Sequence, residues 1–192
     1  MFRTVKKAEQ AGVIDALDKS QAVIHFRPDG TVLEANQNFL DTLGYKLDEI
    51  AGQHHRMFVD PEYARSSEYR SFWDMLRNGE FQAAQYKRYG KNGREIWIQA
   101  TYNPIVSRRG HVAKVVKFAT DITQQTMENA DYKGQVAAIG KAQAVIHFSL
   151  DGKILDANDN FLSTLGYALD EIRGRHHSMF VESEFAQSAE YK

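Results

Sequence analysis

Two adjacent imidazoles, His54 and His55, recur as His176 and His177, and their chemistry is the first to weigh in this chain. A neutral imidazole is a good axial ligand for haem iron. The plainer alternative has one ring bonding a turn while the other stands in solvent. Adjacent residues rarely converge on one ion, so no metal site is assigned apart from His54 or His55 on a haem. His25, recurring as His147, lies between Ile24 and Phe26 and reads as a satisfied strand residue. The chain has no cysteine, which excludes disulfides, thiol catalysis, cysteine-based zinc sites and cysteinyl-flavin photochemistry. It has no glycine-rich phosphate loop, no HExxH and no serine or threonine in a nucleophile context, so no enzyme is expected. Net charge is −1 with no lysine or arginine block, arguing against nucleic acid or an anionic membrane as partner. No apolar run approaches membrane-spanning length, so the segment is expected to be soluble and cytoplasmic.

The histidines belong to a larger repetition. The block QAVIHF..DG..L.AN.NFL.TLGY.LDEI.G.HH.MFV runs from Gln21 to Val59 and again from Gln143 to Val181. Such a long spacing signals a duplicated domain rather than a stacked solenoid. The organisation expected is a helix at 1–20, a first domain at 21–123, a connecting helix at 124–142, and the first half of a second domain at 143–192. Fifty residues are marginal for an independent core. We therefore read the chain as part of a longer protein. The second copy is expected to be disordered, loosely packed or completed by another chain, with Val145, Ile146, Phe148, Phe161, Leu162 and Leu165 uncovered.

Around the histidines, Thr4 to Asp18 reads as an amphipathic helix through Val5, Ala8, Gly12, Ile14 and Leu17. Ala22–Phe26 and Thr31–Ala35 flank a Pro-Asp-Gly turn and predict a hairpin. Asn36 to Leu43 predicts a helix closed by Gly44, and Leu47 to Ile50 another turn. Ser66 to Asn78 carries Tyr69, Phe72, Trp73 and Leu76 at core spacing, with Gly79 as its cap. The period then changes from helical to alternating. Phe81–Tyr89, Glu95–Asn103 and His111–Thr120 predict three more strands.

This order of elements resembles a PAS domain, and more narrowly the tandem sensor region of soluble bacterial methyl-accepting chemotaxis receptors of the aerotaxis kind. The residues carrying the resemblance are Asn36, Phe39, Gly44, Tyr45, the HHRMF run at His54 to Phe58, Phe72-Trp73, Tyr86-Lys87-Arg88, Trp97 to Ile105, and Asp121-Ile122-Thr123. It implies an α+β fold, with a five-stranded antiparallel sheet and helices on one face, preceded by an amphipathic helix. It also implies a sensory input module that dimerises through its flanking helices and outer sheet face, ahead of a chemotaxis signalling domain. The alternatives are a ligand-free dimerisation module, or a regulatory domain of a kinase or cyclic-dinucleotide enzyme.

The resemblance places a pocket between sheet and helices, with His54, His55, Phe72, Trp73, Tyr86 and Ile98 as candidates to line it. Haem would use a histidine of the short-helix region, although the longer helix, where haem-binding relatives commonly keep theirs, has none. FAD would stack on Trp73 and Tyr86. The acidic turn Val59-Asp60-Pro61-Glu62 opposes it, because flavin-binding relatives carry a basic turn there for the phosphates. An empty, packed interior is the third possibility. Ile96, Ile98, Ala100 and Tyr102 are expected to face the helices, with Trp97, Gln99 and Thr101 outward. Asp121 and Thr123 are read as the signal relay, Thr123 capping the connecting helix and Asp121 pairing with a base such as Lys19.

Overall fold

Alternating burial along β-branched and aromatic runs, interrupted by three-to-four-residue apolar spacing, builds one sheet and one helical layer. The computed structural model describes residues 2–191, and the side chains of residue 9 and of residues 11–191. Two units, Met1–Met127 and Glu128–Lys192, are considered separately.

The first unit opens with α1 (Phe2–Ser20). Val5 and Ala8, assigned to its apolar stripe, lie outside the described side chains. Then come β1 (Ala22–Phe26), β2 (Val32–Ala35), α2 (Gln37–Leu43) and α3 (Leu47–Ile50). A 3-10 turn at His55–Phe58 leads to α4 (Pro61–Arg65) and α5 (Ser67–Arg77). The last three strands are β3 (Gln82–Tyr89), β4 (Glu95–Val106) and β5 (Val112–Asp121). The sheet order is β2-β1-β5-β4-β3, every neighbouring pair antiparallel. The expected α+β architecture is therefore present. The predicted cap of α5 is corrected: Asn78 is the cap residue, and Gly79 follows it at φ 90°.

Strand phase follows the alternation. Ile96, Ile98, Ala100 and Tyr102 are buried, whereas Gln99 is exposed and Trp97 and Thr101 are half-buried. On β5, Val115, Lys117 and Ala119 occupy the buried phase beside them. The interior faces of α2 and α5 supply Phe39, Leu40, Leu43, Tyr69, Phe72, Trp73 and Leu76.

The repeated AN.N motif has a mechanical explanation. Asn36 Oδ1 caps α2 at Phe39 N (3.0 Å) and also accepts from Val23 N (2.9 Å). Its Nδ2 donates to Asp18 O (2.7 Å) and Gln21 O (2.8 Å), taking carbonyls left open where α1 ends. One amide thus locks the entry helix to the hairpin and to α2.

The second unit contains most of α6 (Thr123–Ala142), then β6 (Ile146–Phe148), β7 (Ile154–Ala157), α7 (Asp159–Leu165) and α8 (Leu169–Ile172). A 3-10 turn at His177–Phe180 and α9 (Ser183–Ala186) complete it. Asn158 repeats the clamp, donating to Gly140 O (2.7 Å) and Gln143 O (2.7 Å). The same elements form in the same order as in the first copy. Their covering is poorer: Phe148 is 38% exposed where Phe26 is 0%, and Leu165 is 45% exposed where Leu43 is 2%. The buried core here is Ile154, Ala157 and Ile172. Among the described residues no helix is long and apolar enough to cross a membrane.

Candidate functional site

The site is built on the Pro-Asp-Gly turn, which delivers the two histidines to different places. Gly30 sits at φ 90°, and a Cβ there would lie 2.8 Å from His54 Nε2, so glycine is required on both counts. Its carbonyl accepts from His55 N at 2.8 Å, and Val32 N donates to Gln53 O at 2.8 Å. The turn thereby holds the chain entering the 3-10 segment and fixes which ring points inward.

His54 remains half-buried. Its Nδ1 accepts from Arg56 N (3.1 Å), and its Nε2 donates to Asp29 O (2.8 Å). It is the turn-bonding histidine of the plainer reading. His55 departs from that reading, because it is fully buried rather than solvated. Its Nδ1 meets the Tyr69 hydroxyl and its Nε2 the Tyr102 hydroxyl, both at 2.9 Å. A neutral imidazole has one donor and one acceptor, so one tyrosine donates to the ring and the other accepts from it. Burial, with the nearby Arg88 and Lys117 charges, holds the His55 pKa well below its ordinary 6.5.

Rings fill the space around it. His55 stacks on Tyr69 and Phe72 and meets Phe26, Trp73 and Tyr102 edge-on, with centroids between 5.3 and 6.3 Å. Phe72 touches Tyr86 at 6.2 Å and Tyr102 at 4.9 Å. The predicted residues His55, Phe72 and Trp73 are therefore in mutual contact, Tyr86 joins through Phe72, and Ile98 is buried in the same core. His54 stands apart, on the turn side of Trp73, at 6.0 Å. This arrangement does not fit haem ligation, since both nitrogens of each histidine are already engaged. Nor does it fit an isoalloxazine ring, because Trp73 and Tyr86 are spent on protein rings and on Arg88, whose Cζ lies 4.5 Å from the Tyr86 centroid. The acidic turn is a helix cap, with Asp60 Oδ1 accepting from Glu62 N (2.8 Å) and Tyr63 N (3.2 Å).

Sequence reasoning places Tyr69 and Tyr102 in the core without foreseeing their hydrogen bonds, and it does not foresee Arg88 and Lys117 as interior residues. Arg88 Nη2 donates to the Tyr102 hydroxyl at 3.2 Å, extending the chain Tyr69–His55–Tyr102. Burial pushes Tyr69 and Tyr86 up to about 12, and raises Tyr102 as well. Lys117, 1% exposed, places its Nζ 5.1 Å from the Tyr102 centroid and 5.6 Å from that of Phe39. Burial, with Arg88 nearby, sets its pKa well below 10.5. A signal for Lys117 existed in the alternation of β5, where it shares the phase of Val115 and Ala119. Arg88 had no comparable signal, since β3 is half exposed along most of its length.

Near the start of β4, Asp121 and Thr123 make bonds other than the expected ones. Thr123 Oγ1 accepts from Trp97 N (2.9 Å), tying the start of α6 to the sheet, and Ile122 N donates to Trp97 O (2.8 Å). The capping acceptor is Asp121, whose Oδ1 takes Thr123 N at 2.8 Å. The suggested Lys19 partner is instead paired with Asp15 at 2.7 Å. On the outer sheet face, His25 Nδ1 lies 2.9 Å from Lys114 Nζ and 3.3 Å from Glu34 Oε1, a satisfied strand histidine. Beside it Ile14 and Leu17 of α1 border a groove of about 280 Å³ with Val23, Val116 and Phe118.

Family models match this sequence twice: the PAS fold over residues 32–119 and a PAS domain over residues 143–192. The biofilm dispersion protein BdlA of Pseudomonas aeruginosa is 43% identical over 176 residues, which is 92% of this chain and 42% of that protein. The aerotaxis receptor of Escherichia coli is 27% identical over 119 residues, 62% of this chain and 23% of the receptor. The chain thus spans less than half the length of either relative. A PAS domain from Colwellia psychrerythraea superposes with a TM-score of 0.52 at 18% identity, covering 60% of this chain and 98% of that one. At that identity the likeness speaks for the fold alone.

Proposed function

The chain belongs to the PAS family, and from that premise we propose that it is the sensory input region of a cytoplasmic chemotaxis-type receptor. The observation that carries this reading is the double role of β4. Its middle contributes Tyr102 to the buried His55–Arg88 network, and Trp97 near its start bonds Thr123 at the start of α6. A change inside the first unit therefore has a short, hydrogen-bonded route to the helix. Two states separated by a few kcal/mol of differential interaction suffice for such a relay. The similarity to an aerotaxis receptor and to a biofilm dispersion protein supports a signalling role.

Dimerisation is part of the proposal. Tyr132, Val136 and Ile139 form an exposed stripe at four- and three-residue steps on α6. Ile14 and Leu17 occupy the matching positions on α1, also exposed. Sedimentation at micromolar concentration should find a dimer that Val136→Glu converts to monomer; a monomeric wild type would remove this element.

The ring-filled interior favours one competing reading, a ligand-free dimerisation spacer. A graft separates the two. Placed ahead of the signalling hairpin of a chemotaxis receptor in a receptorless bacterium, the chain should set a swimming bias that Tyr102→Phe shifts. A bias indifferent to Tyr102→Phe and to every other interior substitution would favour the spacer.

A further inference from the structure

Besides tyrosines, three polar or charged residues are buried among the described residues: His55, Arg88 and Lys117. All three are bases, and they share one interior. No aspartate or glutamate is buried among the described residues. Arg88 spends Nη1 on the Lys87 carbonyl (2.7 Å) and Nη2 on Tyr102 (3.2 Å), leaving Nε buried without a partner. The neighbours of Lys117 Nζ are the faces of Phe39 and Tyr102, not a carboxylate. Burying cationic side chains without a counter-charge costs several kcal/mol per ion; Lys117 lowers that cost by favouring the neutral amine, and an anion beside the unpartnered Arg88 Nε would offset the rest.

We propose that the interior of the first unit binds a small carboxylate between Lys117 and Arg88. The proposal rests on the sensory reading above and names the class of ligand. A carboxylate presents two oxygens with about four acceptor positions, which the ammonium and the free Nε–H can meet as charge-assisted bonds. The Tyr102 hydroxyl accepts from Arg88 Nη2 at 3.2 Å, and the Tyr102 ring centroid lies 5.1 Å from Lys117 Nζ. Ring centroids so close to Nζ restrict the ligand to a short chain, whose apolar end would pack on Phe39. Inorganic phosphate suits the site poorly, having more oxygens to satisfy than these donors can serve. Binding would also favour the charged form of Lys117, so the complex takes up a proton; Arg88, His55, Tyr69, Tyr86 and Tyr102 are the other titratable groups of this interior.

The test uses the whole chain with acetate and propionate as probes and acetamide as the neutral isostere, at constant ionic strength. Thermal unfolding and calorimetry should show saturable stabilisation by both carboxylates and none by acetamide. Lys117→Met should weaken carboxylate binding by about tenfold or more while remaining folded by circular dichroism. Arg88→Gln should weaken it as well. Equal stabilisation by acetamide or by inorganic phosphate, full binding by Lys117→Met, or no binding of either carboxylate would overturn the site. Amide exchange in α6 keeps the two claims distinct. Carboxylate binding with unchanged α6 exchange would retain the site and count against the relay. The absence of carboxylate binding, with α6 still responding to Tyr102→Phe, would do the reverse.

Discussion

His55→Ala should destabilise the first unit by about 4 kcal/mol, the sum of a cavity and two stranded tyrosine hydroxyls. The ring is fully buried, and its two nitrogens are the partners of Tyr69 and Tyr102. His55→Phe keeps most of the volume and loses the hydrogen bonds, so it should cost about 2 kcal/mol. Adding Tyr69→Phe to His55→Phe should recover part of that loss, because the stranded hydroxyl leaves with it. Denaturant titration of wild type, these three variants and Tyr69→Phe alone measures the series, and additive losses in the double variant would refute the network.

The same residue sets an acid limb. The folded pKa of His55 lies well below 6.5, so the unfolded chain binds its proton first as pH falls. Stability is present above 6.5 and is lost below it, by up to about 1.4 kcal/mol per pH unit for this group. His55→Phe should lack that component of the slope.

The second large effect runs the other way. Lys117→Met should raise stability by about 2 kcal/mol near neutral pH, since an unpaired buried base is replaced by an isosteric apolar chain. The folded pKa of Lys117 is lowered, so the folded state favours the neutral amine while the unfolded chain stays protonated up to 10.5. The wild-type penalty is therefore largest at low pH and disappears as pH rises through 10.5. The advantage of Lys117→Met should shrink in step. The raised pKa values of Tyr69, Tyr86 and Tyr102 affect stability in the alkaline range too, but they are common to both proteins and cancel in the difference. An unfolding series from pH 6 to 10 checks this, and a variant less stable than wild type throughout would contradict it.

Where the sequence was legible, one physical reason recurs: local periodicity reports which face is covered. The buried phase of Ile96 to Tyr102 follows from alternation, and the apolar face of α5 from its three-to-four-residue spacing. The paired histidines carry no period. Nothing in two neighbouring imidazoles tells which one turns inward; that choice comes from Gly30, whose carbonyl takes the His55 amide 25 positions along the chain. Asp121 ends β5 and Thr123 opens α6, yet their partners depend on β4 lying alongside, which chain order alone does not reveal. Lys117 was readable in phase, but a lysine inside an apolar strand looks like a break in the pattern until the sheet shows that the pattern continues through it.

On the proposed relay, the interior of the first unit is coupled through β4 to α6. Amide exchange along residues 123–142 in wild type, Tyr102→Phe, Thr123→Val and the double variant tests it most directly. Tyr102→Phe should alter exchange in the first turns of α6, and this change should be abolished when Thr123→Val is also present. A Tyr102→Phe effect confined to the sheet, or one that survives the loss of the Thr123 bond, would contradict it.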